Sequence, residues 1–130
     1  MKEARPIRIF IVDNHSFIRE AMSQLINRQP DMRVVAEAPD GQSAVNKYEE
    51  VSPDVTLMDL SMPVMNGIDA VHAIKQTHPD ARFIIVSAYD FPEDIQKSEQ
   101  VGAAAYLLKD TARETLIRVI RDVHQGHKFL

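Results

Sequence analysis

The sequence Val55-Thr56-Leu57-Met58-Asp59 places a short, mostly apolar run directly before a carboxylate. A run of this length is too short for a helix, and its lack of polar alternation is typical of a strand buried on both faces of a parallel sheet. Similar runs occupy residues 7–12, 33–36, 83–86 and 105–108. We therefore predict five parallel strands.

The segments between these runs carry apolar residues at helical spacing. The first segment follows the i, i+3, i+4, i+7, i+8 pattern with Ile18, Ala21, Met22, Leu25 and Ile26. Similar stripes predict helices around residues 44–51, 68–74 and 116–123, and a thinner stripe predicts one at 93–101. We expect the helix at 93–101 to be the most weakly held, because it has the least apolar surface to bury.

Two local signals refine the helix boundaries. Thr111 and Glu114 have the spacing of a capping box before the last helix. The sequence Met65-Asn66-Gly67 indicates a turn before the third helix, with Gly67 as the residue most tolerant of a positive φ. Five strand-and-helix units predict a doubly wound α/β fold with the flavodoxin-like strand order 2-1-3-4-5.

Length and composition favour one globular domain and exclude several functions. The chain has 130 residues, 45% of them hydrophobic, and a net charge of -4. Because it contains no Cys, disulfides, thiolate metal sites and cysteine nucleophiles are excluded. The negative charge argues against direct nucleic-acid binding. Residues 1–6 lack a signal-peptide pattern and no apolar run is long enough to span a membrane, so we expect a cytoplasmic protein without membrane contact.

Polar residues follow the carboxyl ends of the inner strands, where ligands of such sheets bind. They are Asp13, Asn14, Asp59, Ser87 and Lys109. Each one alone is an ordinary loop or capping residue, but four elements delivering polar groups to one edge indicate a site. Two close carboxylates repel unless a cation separates them, and Mg²⁺ prefers such oxygen ligands. An aspartate beside this ion can attack phosphorus, with Lys109 neutralising the arriving charge.

Several motifs extend this pattern along the whole chain. They are Ile11-Val12-Asp13-Asn14-His15, Leu57-Met58-Asp59-Leu60-Ser61-Met62-Pro63, Ser87-Ala88 and Gly102-Ala103-Ala104-Ala105-Tyr106-Leu107-Leu108-Lys109-Asp110. On these residues the chain resembles the receiver domains of two-component response regulators. The resemblance implies that Asp59 accepts a phosphoryl group, that the Ser61 carbonyl binds metal, and that Lys109 pairs with the phosphate. It also implies that Ser87 and Tyr106 form a switch, although Tyr106 equally suits an ordinary half-buried strand residue.

One motif position departs from the family pattern. The resemblance makes Asp13 the first residue of an acidic pair whose second member is commonly Asp and a direct metal ligand, but this chain has Asn14. An amide oxygen can still coordinate Mg²⁺, yet it carries no charge. We therefore predict that the metal set Asp13, Asn14, Asp59 and Ser61 binds Mg²⁺ weakly.

The opening motif and the Lys109-Asp110 pair resemble the NarL/FixJ subgroup, whose members usually carry a LuxR-type DNA-binding domain. The resemblance implies a sensor histidine kinase as partner, a homodimer, and DNA contact only through an output domain that this sequence lacks. We expect one receiver domain over residues 1–130, with a core at about 6–125 and an end that resembles the passage into a linker. The resemblance also implies self-phosphorylation and dephosphorylation at Asp59, without turnover of external substrates.

Other functions remain as alternatives. A pseudo-receiver that keeps the fold and serves as a phosphorylation-independent dimerisation module is the main one. An aspartate-nucleophile phosphatase would need an acid where Ser61 stands, and a flavodoxin-like cofactor binder would need a phosphate-cradling first loop in place of Asp13. The five histidines are scattered and not paired at metal-ligand spacing, which argues against a zinc site.

Overall fold

The computed structural model describes residues 5–130 and contains a five-stranded parallel sheet. Residues 1–4, which include most of the segment predicted not to be a signal peptide, lie outside the described residues. The strands are β1 (Ile7–Val12), β2 (Met32–Ala38), β3 (Val55–Met58), β4 (Phe83–Ser87) and β5 (Ala105–Leu108). Their order is β2-β1-β3-β4-β5, so the predicted topology is confirmed.

Five helices cover the two faces of the sheet. They are α1 (Ser16–Asn27), α2 (Gly41–Val51), α3 (Gly67–Thr77), α4 (Pro92–Gln100) and α5 (Arg113–His124). Alternate residues of β1 point to opposite faces: Ile9 joins a core with α1 and α5, whereas Phe10 joins a core with α2 and α3. The inner strands are therefore buried on both faces, and their few polar side chains include Thr56 inside β3 and Ser87 at the end of β4.

The edge strand β2 is less buried than the sequence predicted. It runs from Met32 to Ala38, longer than the predicted 33–36, and its middle residues are half-exposed. An edge strand has a neighbour on one side only, which explains the extra exposure. The helix α4 has the thin apolar face expected for it. Of its nine residues, all of them described, Ser98 alone is buried.

The predicted capping box of α5 is wrong. Within the described chain, the N-cap is Ala112, which has no side-chain cap bond. The Thr111 N–H donates to the Leu108 carbonyl at 3.0 Å in a turn, and the helix begins one residue later than a Thr111 cap requires. Glu114 therefore stands at the second helical position, where it cannot complete the reciprocal bonds of a capping box.

Gly67, singled out for its tolerance of a positive φ, does not adopt one. Gly67 is the first residue of α3, after an Asn66 cap whose side chain accepts from the Asp69 N–H. A Cβ at Gly67 would lie 2.1 Å from the Asp59 carbonyl oxygen, so close backbone approach is what requires glycine. The positive φ falls on Val64, at 69°, where the Met65 N–H donates to the Pro63 carbonyl at 2.7 Å. This is a γ-turn with positive φ at a β-branched residue.

Candidate functional site

The carboxyl edge of the sheet brings Asp13, Asp59 and Lys109 together. Lys109 Nζ lies 2.8 Å from Asp13 Oδ2 and 3.2 Å from Asp59 Oδ2. The carboxylate side chains are 1% and 3% exposed, while that of Lys109 is 17% exposed. Two buried acids therefore share one cation at the point where the strand order reverses, as the sequence predicted for this edge.

Backbone hydrogen bonds that continue the sheet beyond the strands fix these positions. The Asp13 N–H donates to Ala38 at 3.1 Å, and the Asp59 N–H donates to Val12 at 2.9 Å. On the other side, the Lys109 N–H donates to the Ser87 carbonyl at 2.8 Å. The functional side chains thus start from a rigid part of the molecule, which limits how far they can drift apart.

The electrostatics of the site are unbalanced toward negative charge. Burial, followed by the charge of Asp13, raises the pKa of Asp59, while Lys109 and a backbone bond from Ser61 lower it less strongly. Burial opposes the charged form of Lys109, but its contacts with Asp13 and Asp59 outweigh burial and raise the pKa of Lys109. A second cation would relieve the remaining repulsion between the acids.

The donor set fits a divalent metal ion. Asp13 Oδ2 is buried and lies 2.8 Å from Lys109 Nζ, which also lies 3.2 Å from Asp59 Oδ2. Ligand atoms of Asp13, His15 and Asp59 lie within 4.8 Å of one another. Asn14 and Ser61, the other predicted ligands, are exposed beside this cluster in sequence. Oxygen donors of this kind suit Mg²⁺.

Ser87 and Tyr106 meet at the backbone of a third residue, Tyr89. The buried Ser87 Oγ accepts from the Tyr89 N–H at 3.3 Å, and the half-buried Tyr106 hydroxyl donates to the Tyr89 carbonyl at 2.6 Å. Burial raises the pKa of Tyr106, and a bond with Ser87 offsets part of this. The two predicted switch residues are therefore linked through the backbone of one residue, Tyr89, in the loop between β4 and α4.

Sequence reasoning missed His15, Arg19 and Tyr89. The Asp13 Oδ1 atom accepts from the His15 backbone N–H at 2.8 Å, and His15 Nδ1 lies 3.3 Å from the same oxygen. Arg19 Nη1 donates to the Asp13 carbonyl at 2.6 Å. The Asp-x-His spacing at 13 and 15 was an available signal, because an aspartate commonly bonds the backbone two residues on.

Comparison with known proteins gives the class of this fold and site. Residues 9–121 match the response regulator receiver domain family. The nitrate/nitrite response regulator NarP of Escherichia coli is 38% identical over 128 residues, covering 98% of this chain and 60% of NarP. The regulator DegU of Brevibacillus brevis is 35% identical over 124 residues, covering 95% of this chain and 52% of DegU. The chain belongs to the response regulator receiver domain family.

The predicted NarL/FixJ subgroup is confirmed as well. The receiver domain of the putative response regulator NarL from Mycobacterium tuberculosis superimposes with a TM-score of 0.90 at 31% identity, covering 95% of this chain and all of that one. NarL of Escherichia coli is 32% identical over 130 residues. The chain is thus a receiver domain of the NarL type, and it spans only about half to three fifths of the curated relatives it matches.

Proposed function

We propose that this domain accepts a phosphoryl group on Asp59 from a sensor histidine kinase. The observation that carries the proposal is the shared cation: Lys109 Nζ contacts both Asp13 and the buried Asp59 carboxylate, at 2.8 and 3.2 Å. A structural core has little reason to hold two repelling acids beside one lysine at a ligand-binding edge. Membership of the receiver family supports the same chemistry.

The proposed step is transfer from a phosphohistidine. An Asp59 carboxylate oxygen attacks phosphorus, a P–O bond forms, the P–N bond breaks, and the histidine leaves with its electron pair and takes up a proton. Lys109 stays at the site and compensates the new charge on the phosphoryl oxygens. The side chains of Asp13, Asn14 and Asp59 and the Ser61 carbonyl would hold Mg²⁺, which supplies charge neutralisation.

The switch follows from the bonds at Tyr89. A phosphoryl group on Asp59 adds strong acceptor oxygens that draw the Ser87 hydroxyl toward it. Ser87 then loosens its contact with the Tyr89 N–H, and the loop that holds the Tyr106 hydroxyl is free to shift. The face formed by α4, β5 and α5 changes shape, and the weakly anchored α4 is the element most able to follow.

The wider roles rest on family membership. Receiver domains are in general not turnover enzymes, and we propose that chemistry here is limited to phosphorylation and dephosphorylation of Asp59. We propose a kinase as phosphodonor, a cytoplasmic location and one receiver domain over residues 1–130, with DNA bound through an output domain that relatives carry. No helix within residues 5–130 has the length and apolar character needed to cross a membrane.

A homodimer through α1 and α5 is supported by an apolar groove between them. The groove has a volume of about 390 Å³ and includes Met22, Leu25, Leu107 and Leu116 in its lining. Asn14 is a separate observation at the acidic pair. Because it is uncharged, it weakens the case for metal-dependent chemistry, so the dimer surface could serve without phosphorylation. A phosphorylation-independent dimerisation module is therefore the alternative function.

Exposure to acetyl phosphate with Mg²⁺ tests the proposal. We expect the intact mass to rise by one phosphoryl group in the native chain and in Asp110→Asn, a control at an exposed acid next to Lys109. Asp59→Asn should gain nothing. A native chain that gains no phosphoryl group but still dimerises would favour the interaction module, and unchanged modification of Asp59→Asn would refute the assigned acceptor.

A further inference from the structure

The pair Asn66-Gly67 lies where the loop after β3 meets α3, and neither the fold nor the proposed phosphoryl transfer uses the reactivity of its side-chain amide. An asparagine followed by glycine is especially prone to deamidation, because glycine has no side chain to hinder attack by its backbone nitrogen. The other asparagines, Asn14, Asn27 and Asn46, precede His, Arg and Lys. The sequence therefore contains one asparagine of high intrinsic reactivity.

The fold holds both reacting groups of this pair in hydrogen bonds. Asn66 Oδ1 accepts from the Asp69 N–H at 2.9 Å, and Asn66 Nδ2 donates to Asp69 Oδ2 at 3.2 Å. The N–H of the buried Gly67 donates to the Leu60 carbonyl at 2.9 Å. The attacking nitrogen and the amide under attack are thus engaged with different partners. These bonds must break before the two groups can react.

The loop that precedes this pair is suited to local opening. Residues 61–66 are exposed or half-exposed, and Val64 among them has a φ of 69°, a conformation that costs free energy at a β-branched residue. Opening of an exposed segment of this kind costs less free energy than global unfolding. The Asn66 amide therefore has a route to reaction that leaves the sheet intact.

We propose that Asn66 is a deamidation site that reacts when the loop between β3 and α3 opens, so that its conversion is a slow and irreversible record of that opening. The Gly67 nitrogen attacks Asn66 Cγ, a new C–N bond closes a succinimide ring, and the Cγ–Nδ2 bond breaks. Nδ2 leaves as ammonia with the proton that the Gly67 nitrogen gives up. Water then opens the ring at one of its two carbonyl carbons, which leaves aspartate or isoaspartate at position 66.

The isoaspartyl product does not fit the native loop. Its main chain passes through the former side chain, so one extra carbon separates residue 66 from Gly67. The Gly67 backbone has no room to shift toward Asp59, because a Cβ at Gly67 would already lie 2.1 Å from the Asp59 carbonyl oxygen. The aspartyl product has a normal main chain, and its carboxylate can still accept from the Asp69 N–H. The two products therefore differ in stability although they carry the same charge.

Intact mass and peptide mapping follow the conversion of the full chain at mildly alkaline pH, in native buffer and in urea that unfolds the chain. In urea we expect Asn66 to convert faster than the other asparagines. In native buffer its conversion should be slower by roughly tenfold or more, because only the opened loop reacts. Asn66→Ser keeps a capping oxygen without an amide and should show no conversion at position 66.

Asp69→Ala tests the local character of the opening, because it removes the carboxylate that accepts from Asn66 Nδ2. Conversion in native buffer should become faster by roughly threefold or more, while the rate in urea stays the same. Arg121→Gln is the matched control, since it breaks an ion pair with Asp31 far along the chain and lowers global stability without touching the loop. It should leave both rates unchanged.

The converted chains are then separated and melted. We expect the isoaspartyl chain to unfold at a lower temperature than Asn66→Asp, which reproduces the aspartyl product. Equal rates in native buffer and urea would overturn the proposal, as would equal acceleration by Asp69→Ala and Arg121→Gln, which would mean that global unfolding exposes the amide. An isoaspartyl chain as stable as Asn66→Asp would refute the Gly67 contact as the feature that the product disturbs.

Discussion

Asp59 is an aspartate whose charge opposes folding. Its pKa is raised, so the folded state holds the proton more tightly than the unfolded chain does. Ionised Asp59 therefore destabilises the fold at neutral pH. As the pH falls through the folded pKa toward the ordinary value of 3.8, protonation relieves this cost and the group's contribution to stability rises.

Replacing Asp59 by Asn should therefore stabilise the protein at pH 7. We expect the free energy of unfolding to increase by on the order of 1 kcal/mol in urea without divalent ions. Asp110→Asn, at an exposed acid, should change it by less than about 0.5 kcal/mol. A loss of stability in Asp59→Asn would mean that the pairing with Lys109 outweighs burial and repulsion.

Val64 holds strained backbone at the surface. Its φ is 69° and its side chain is 82% exposed, so the residue has a left-handed conformation with little packing in return. Glycine adopts such a φ without steric cost. We expect Val64→Gly to stabilise the domain by about 1 kcal/mol in chemical denaturation. Val64→Ala keeps a Cβ and should gain much less, and equal effects of the two variants would argue against strain.

At the scale of elements, one ion pair joins α5 to the loop between α1 and β2. Arg121 donates from Nε and Nη2 to the two Asp31 carboxylate oxygens, at 2.8 and 3.0 Å. The bond from Arg121 holds the pKa of Asp31 below its usual 3.8. Both side chains are more than 40% exposed, so solvent reduces the value of the pair.

Asp31→Asn should cost about 0.5 kcal/mol at pH 7. A lowered pKa contributes stability above the unfolded value, and this contribution is lost as the pH falls through the folded value. The difference between Asp31→Asn and the native chain should therefore shrink as the pH falls below 3.8 and vanish once the folded Asp31 carboxyl is protonated. Thermal unfolding across this pH range checks the prediction, and a difference that persists at low pH would contradict it.

Elements with strong local signals were predictable from sequence. The bounds of β1, β3 and β5 were predicted correctly, because each is a short, mostly apolar run that ends at a charged residue. The start of α5 was not predictable, because a backbone turn at Thr111 displaced the helix by one residue. Gly67 was singled out for its conformational freedom, but glycine is required there because its backbone lies against the Asp59 carbonyl. A turn motif does not reveal such a contact with a residue distant in sequence.

The same distinction applies to the site. Asp13, Asp59 and Lys109 were expected to converge because parallel strands bring their carboxyl ends to one edge. The position of the His15 ring depends on a turn around Asp13, and the role of Tyr89 depends on its backbone atoms alone. Neither the position of the His15 ring nor the backbone role of Tyr89 can be predicted from residue types alone.

At the scale of the whole molecule, metal binding and folding are coupled. An ion that binds only the folded domain stabilises it in proportion to its affinity. Asn14→Asp restores a carboxylate at the exposed edge of the site, and we expect Mg²⁺ affinity to rise on the order of tenfold. At saturating Mg²⁺ this adds about 1.4 kcal/mol to the stabilisation by the ion.

Thermal unfolding with and without Mg²⁺ measures this coupling. Asn46→Asp is the matched control, because it adds the same charge to the exposed face of α2. It should show the same Mg²⁺ response as the native chain. An equal response of Asn14→Asp and Asn46→Asp would exclude residue 14 from the ion's coordination.

The residues around Tyr89 give the molecule its own optical probe. The chain has no Trp and three Tyr, and two of these are in contact, because the Tyr106 hydroxyl donates to the Tyr89 carbonyl. The Tyr89 ring also stacks on Phe91, with ring centroids 5.3 Å apart. Ultraviolet emission from the unlabelled protein is therefore weighted toward the loop beside Ser87, and rearrangement there can be followed in real time without attaching a dye.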